Sequence, residues 1–262
     1  MTFPFQYTGS YGLTSLNRTT VVPFSDDSDL KAYFKFNESS GNIINVSEDT
    51  ADLGSAADLI VTGATHSAGG VFDTAVSNDG INDTLVSGTS LSQYNFLHNQ
   101  SFLFTISVWV KRASWDSSTD VIFSSAGELA SADIGLGVRY SSTNGSLLVR
   151  MANGTNMNRY ISTFTGLTQD SNYHHLVITG DVSDSTDTVE VWEDGSSLGT
   201  TAKSTSTFTN SNATDKLTLA STGKNASQWG AITFDECAIF NRRLSDAEIG
   251  ELYNSGAGLE IY

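Results

Sequence analysis

The stretch FDECAIFNRRLSDAEIGELYNSG, Phe234 to Gly256, decides how the rest of the chain is read. Its first third reads as a buried strand. On a period of two, Asp235, Cys237 and Ile239 share one face, and Phe234, Glu236, Ala238 and Phe240 share the other. A carboxylate is thus expected on a side that points towards a core. After the strand comes a short helix with clear start and stop signals. Ser245 is an N-cap, Glu248 three residues on completes a capping box, and Leu244 before the cap can meet Ile249 as a hydrophobic staple. Tyr253 packs the helix down, and Asn254 or Gly256 ends it in a left-handed turn.

Upstream of this segment, strand signals recur about every ten residues with turn chemistry between them, as in a β-sandwich or jelly roll. LKAYFKF alternates, with Leu30, Ala32, Phe34 and Phe36 on one face. TAVSNDGINDTLVSG is a strand, a turn through Asp79-Gly80, and a strand. FLFTISVWVKR is apolar on both sides, as a central strand covered by two layers must be. DVIFSSA, IGLGVRYSS, GSLLVRMA, YHHLVITGD, TVEVWEDGSSLGTT, DKLTLAST and AITFDECAIF complete the set. Asn144-Gly145 and Asp194-Gly195 mark hairpin tips. No strand is followed by a convincing helix, which excludes a doubly wound α/β fold. Residues 1–26 hold both prolines, Pro4 and Pro23, and no sustained alternation. They are expected to form an N-terminal arm used in assembly, the alternative being a short extra strand of the same domain, with one domain over residues 27–262.

The chain has 262 residues, 13 Lys and Arg against 29 Asp and Glu, and a net charge of −16. Nucleic-acid binding requires positive charge to displace counterions, so DNA and RNA are not expected partners. Anionic membranes are disfavoured for the same reason, and no apolar run approaches spanning length, so membrane insertion is not expected. Extra carboxylates suit Ca²⁺, which takes oxygen ligands. The single cysteine, Cys237, excludes an intrachain disulfide and reads as a small apolar filler.

In this order the segments resemble the laminin-G-like, concanavalin-A-like jelly-roll family over about residues 29 to 258. The opening strand LKAYFKFNESSGN, the segment GVFDTAVSNDGINDTLVS, the strands FTISVWVK and YHHLVIT, the hairpin VEVWEDGSSLGT and the closing FDECAIFNRRLSDAEIGELYNSG carry the resemblance. It implies two stacked antiparallel sheets of six or seven strands each. It also bears on Asp235, since a buried carboxylate needs a partner. Backbone N–H groups of the first loop are one candidate. The other is Ca²⁺, held by Asp235 with Asn37, Glu38, Ser40 and Asn42 of the first loop, because many relatives hold a structural Ca²⁺ between the early loop and the last strand.

Glycosidases of this fold carry two carboxylates in phase on one strand. The only in-phase pair noted, Glu190 and Asp194, runs into a hairpin tip, so no enzyme is expected. His174 and His175 are adjacent and point to opposite faces. Sugar binding needs aromatic platforms beside polar groups, for which Trp115, Tyr140, Arg150, Tyr160 and Trp229 are the candidates. Trp109 and Trp192 lie on regular strands and read as core.

The resulting expectation is a non-catalytic virion component such as a capsid decoration, fibre or tail protein, made in the host cytoplasm. Its arm would join other virion proteins, its lectin-like domain would attach to host-surface glycans or reinforce the shell, and it would form a homo-oligomer. The alternative is an extracellular carbohydrate-binding module or lectin of a larger secreted protein, with a glycoside hydrolase ranked third. The acidic surface is expected to favour neutral or cationic glycans over sulfated ones, which it would repel at low salt.

Overall fold

The computed structural model describes residues 23–47, 58–87, 90–113, 120–126, 133–141, 146–154, 160–181, 189–201, 210–222 and 229–262, with only the backbone of residues 153 and 160–162. Strands are numbered in chain order. One sheet runs β13 (Ser196–Thr201), β12 (Val189–Glu193), β11 (Tyr173–Asp181), β6 (Leu103–Arg112), β15 (Ile232–Phe240), β4 (Thr74–Ser77) and β3 (Thr65–Gly69), with β1 (Leu30–Phe34) also paired to β15. The other runs β10 (Tyr160–Phe164), β9 (Leu147–Asn153), β8 (Ile134–Tyr140), β7 (Val121–Ser124), β14 (Thr218–Leu219), β5 (Thr84–Ser87) and β2 (Leu59–Thr62). All these pairings are antiparallel. The described residues therefore form sheets of eight and seven strands, and the expected all-β sandwich is the observed fold.

The main core lies between the sheets. β6 supplies Phe104, Ile106, Val108 and Val110, β8 supplies Leu136, Val138 and Tyr140, and β9 supplies Leu147, Val149 and Met151. β6 sits between β11 and β15 and is buried along nearly its whole length, which explains its lack of polar alternation. A second apolar layer covers the outer face of the eight-stranded sheet. There Val177, Trp192, Ala238 and Phe240 meet Phe24, Leu244, Ile249 and Leu252. Burying one such phenylalanine contributes about 1.5–3 kcal/mol. Trp109 and Trp192, read as core, are both buried, Trp192 in this outer layer and Trp109 against the Tyr253 ring.

Two bulges correct the simple alternation. On β15, Asp235 pairs with Trp109 and Ala238 with Ser107, so three steps on one strand match two on the other. Glu236 absorbs the extra residue with φ +49°. The face therefore switches at the bulge. Phe234, Cys237 and Ile239 enter the main core, whereas Ala238 and Phe240 belong to the outer layer. Asp235 does not share a side with Cys237 and Ile239. A shift on β1 likewise places Leu30 in the outer layer while Ala32, Phe34 and Phe36 stay in the core.

The segment through Asp79-Gly80 joins β4 to β5, which lie in different sheets, so it is a crossover and not a hairpin. The tip at Asp194-Gly195 is a hairpin, with φ +51° and +71° at its two central residues. Asn144-Gly145 lies outside the described residues. Helix α1 (Asp246–Tyr253) carries the expected capping box, and Asn254 ends it at φ 47°, ψ 46°. Leu244 and Ile249 are buried in one cluster, as the staple requires. Of the expected arm, residues 1–22 lie outside the described residues. Phe24 packs against Phe240 with ring centroids 5.9 Å apart, so the packed body already includes part of that segment.

Candidate functional site

The bulge at Glu236 aims Asp235 at the turn of residues 70–74. The Asp235 side chain is fully buried, and its Oδ2 accepts hydrogen bonds from the N–H groups of Val71 (2.7 Å) and Phe72 (3.1 Å). Its Oδ1 has no hydrogen-bond partner. Burial pushes its pKa up to about 7, against the pull of the N–H groups of Phe72, Val71 and Glu236 and with the help of nearby Asp73. Gly70 explains why the carboxylate can come so close. A Cβ at that position would lie 2.5 Å from the Phe72 carbonyl oxygen, 2.6 Å from Asp235 Oδ2 and 2.7 Å from the Thr74 carbonyl oxygen. Three oxygens thus crowd one point that only glycine leaves open.

Both partners expected for Asp235 bear on this arrangement. The N–H groups are present, although they come from the 70–74 turn and not from the first loop. The spare Oδ1 and the main-chain carbonyls of the turn are oxygen donors of the kind Ca²⁺ takes. The donor set differs from the one expected. Asn37 reaches the turn, but its Oδ1 accepts from Thr74 N (3.0 Å) and holds the turn in place. Glu38 Oε1 closes its own loop by accepting from Ile44 N (2.9 Å), and Ser40 and Asn42 are exposed. Among the described residues no three His, Cys, Asp or Glu side chains gather around a point, so a cation here depends on the carbonyls of Phe72 and Thr74. The signal in the sequence was Gly69-Gly70 just ahead of Phe72-Asp73, a glycine pair that permits close backbone approach.

Glu236 lies beside Asp235 but is held differently. It accepts a hydrogen bond from the Tyr33 hydroxyl, which in turn accepts from Ile261 N (3.1 Å). Burial pushes Glu236 up to about 8, and neighbouring Asp235 and Glu260 add to this. Cys237 is fully enclosed, as a filler would be, and burial pushes its thiol up to about 12.

The other carboxylates with chemical promise are committed to structure. Glu190 binds Ser197 Oγ (2.6 Å) and Arg243 (2.7 Å). Asp194 accepts from His175 N (2.9 Å) and contacts His174 Nδ1 (2.8 Å), while His174 Nε2 lies 3.0 Å from Asp170. Burial lowers the proton affinity of His174, but its bonds to Asp194 and Asp170 outweigh this and hold it above the ordinary range. His175 faces the other way. It meets Ser107 Oγ at 2.7 Å, forms a three-ring cluster with Trp109 and with Tyr253 of α1, and is pushed down to about 4 by burial. The two histidines do point apart.

The five ligand candidates do not form one surface. Tyr140 is buried in the main core under the Arg112 guanidinium, 5.0 Å from its ring, so its alternation points it inward and it is no platform. Arg150 lies on the outer face of the seven-stranded sheet, since its neighbours Val149 and Met151 enter the core. Trp229 is partly buried at the end of that sheet, its indole N–H without a partner, next to Gly230, whose N–H donates to Ala220 O (2.6 Å). Trp115 lies outside the described residues, and of Tyr160 only its backbone place on β10 opposite Met151 is described. Arg139 was not among the candidates, yet it lies on the same outer face as Arg150. The alternation of GLGVRY against LLVRMA carried that signal.

The two packed sheets, the outer layer over one of them and the capped C-terminal helix define a lectin-type jelly roll. Residues 80–250 match the model of the concanavalin A-like lectin/glucanases superfamily, and the chain belongs to that superfamily. No curated protein matches it in sequence. Similar solved structures include a Trypanosoma rangeli sialidase in complex with sialic acid, at 17% identity and a TM-score of 0.60 over 89% of this chain and 34% of that one. The binding domain of Paraclostridial Mosquitocidal Protein 1 matches at 16% identity and a TM-score of 0.62, over 89% and 53% of the two chains. The binding domain of Botulinum Neurotoxin DC in complex with SialylT matches at 16% identity and a TM-score of 0.60, over 88% and 52%. The chain spans about a third of the sialidase and half of each toxin binding domain.

Proposed function

We propose that this domain recognises carbohydrate without modifying it and holds a structural Ca²⁺ at the Asp235 turn. One observation carries the recognition reading. The outer face of the eight-stranded sheet is sealed by Phe24, α1 and the C-terminal tail, whereas on the outer face of the other sheet Arg139 and Arg150 stay partly exposed among buried neighbours such as Leu148 and Ser124. The toxin binding domain with SialylT supports the carbohydrate class. The non-catalytic reading is supported by the state of the carboxylates. Asp235 and Glu236 have raised proton affinities but are buried in the fold, and Glu190 and Asp194 are tied to Arg243 and His174.

The virion setting, with attachment through residues 1–26, belongs to the same proposal. The module reading is favoured by a separate fact: in the sialidase and the toxin domains the matched region is a third to a half of the chain. A glycan array probed with the multimerised protein, together with product analysis of the bound sugars, tests recognition. Retention of at least one glycan class with no release of products is the expected result. Cleavage of a bound sugar overturns the non-catalytic reading, and silence across the array overturns carbohydrate recognition.

A further inference from the structure

Arg139 and Arg150 are partly buried on neighbouring strands of an acidic protein. In the β8–β9 pair, Arg139 stands opposite Leu148, and Arg150 stands opposite Gly137. Leu136, Val138 and Tyr140 on one strand and Leu147, Val149 and Met151 on the other enter the core. Both arginines therefore project from the opposite face, in the diagonal relation that brings long side chains within reach of each other. Across the sheet, the row from Arg150 continues through Gly137, Ser124 and Thr218. Gly137 puts no side chain opposite Arg150, and the small Ser124 and Thr218 beyond it are buried, so the guanidinium of Arg150 is the partly exposed group of this row.

The Arg150 guanidinium makes no hydrogen bond or ion pair with any described residue, and its Nε–H is buried without a partner. Burial pushes both arginines below their ordinary range, and for Arg139 the nearby charge of Arg150 adds to the effect. A guanidinium withdrawn from water, with a buried donor unused and a like charge beside it, is stabilised by an incoming anion.

We propose that Arg150, with Arg139 beside it, forms a subsite for the carboxylate of an acidic sugar, a class that includes uronic and sialic acids. The inference rests on the carbohydrate-binding reading and specifies its ligand. The planar fork of arginine matches the two oxygens of a carboxylate and makes short, charge-assisted hydrogen bonds to it. The net charge of −16 does not oppose this. Spread over the surface, that charge is screened beyond about 10 Å at 0.1 M salt, whereas the arginines act at contact.

The test is titration calorimetry of the full chain with oligogalacturonate, sialyllactose, their carboxyl-reduced forms and neutral oligosaccharides. At least one acidic sugar is expected to bind, and reducing its carboxyl group should weaken binding about tenfold or more. Arg150→Gln should give a similar loss, and Arg150→Lys a smaller one because it keeps charge but not the fork. The carboxyl-reduced sugars need no substitution, so the result does not depend on the variants folding. Neutral sugars binding as well as acidic ones, unaffected by Arg150→Gln, would overturn the subsite and leave carbohydrate recognition standing. No binding of any sugar would overturn both.

Discussion

Asp235 shows how one side chain can be misplaced by an otherwise sound pattern. The period-two reading put it beside Cys237, but Glu236 at φ +49° turns the strand by one residue and sends Asp235 to the 70–74 turn. That φ is uncommon for a non-glycine residue and persists only where the surroundings enforce it. Here β6 on one side and the bond to Tyr33 on the other hold the bulge. If Asp235 holds Ca²⁺ with the carbonyls of Phe72 and Thr74, chelation lowers the melting temperature and Asp235→Ala removes that sensitivity. A ligand at a hundredfold excess over its dissociation constant stabilises the fold by about 2.7 kcal/mol. Superimposable melting curves with and without chelator would exclude the ion. Gly70 makes the same point from the backbone, since any side chain there would strike the three oxygens.

At the scale of elements, the helix is the part most fully written in local sequence. Ser245 Oγ accepts from Glu248 N, and Glu248 reaches back to Ser245 N at 2.7 Å. Arg242 then ties this box to the N-terminal turn, forking onto Glu248 and reaching Asp27 at 2.7 Å. Burial alone would raise Glu248, but the Arg242 and Ser245 bonds bring it down to about 2. Ser245→Ala is expected to cost about 1 kcal/mol, which in a domain of this size lowers the melting temperature by about 2–4 °C. An unchanged melt would show that α1 is held by its outer-layer packing alone. The hairpin at Asp194-Gly195 is coupled to the same helix, because a Cβ on Gly195 would meet the Tyr253 ring at 2.8 Å.

For the whole molecule, the two outer faces are treated differently, and pH should report on the sealed one. Lys35 pairs with Glu260 at 2.6 Å, the Tyr262 hydroxyl donates to Ser25 O at 3.0 Å, and the Tyr33 ring faces Tyr262, so the C-terminal tail straps over Glu236. An acid whose folded pKa is raised holds a proton that the unfolded chain has released, so stability falls as pH rises towards the folded value. Asp235 (about 7) and Glu236 (about 8) act this way, as do Asp83 and Glu193, which are also raised. His174, held above its ordinary range, has the same sign. His175 (about 4) and His98 are lowered and oppose the acids only below their unfolded pKa. Above about pH 6.5 that opposition is spent. In the presence of chelator, stability should therefore decline from about pH 6.5 to 8. Glu236→Gln should flatten the decline. An equally steep decline in that variant would assign it to other groups.

The strand pattern of β6, the hairpin at Asp194-Gly195 and the capping box of α1 were determined by residues close in sequence, because alternation, positive φ and capping bonds act over two to four positions. The face of Asp235, the sheet exchange after Asp79-Gly80 and the strand register that sets Arg150 diagonal to Arg139 were decided only in the tertiary structure. Each depends on which strand lies alongside. A single bulged residue reverses every face beyond it, and the local pattern does not record the partner strand that forces the bulge.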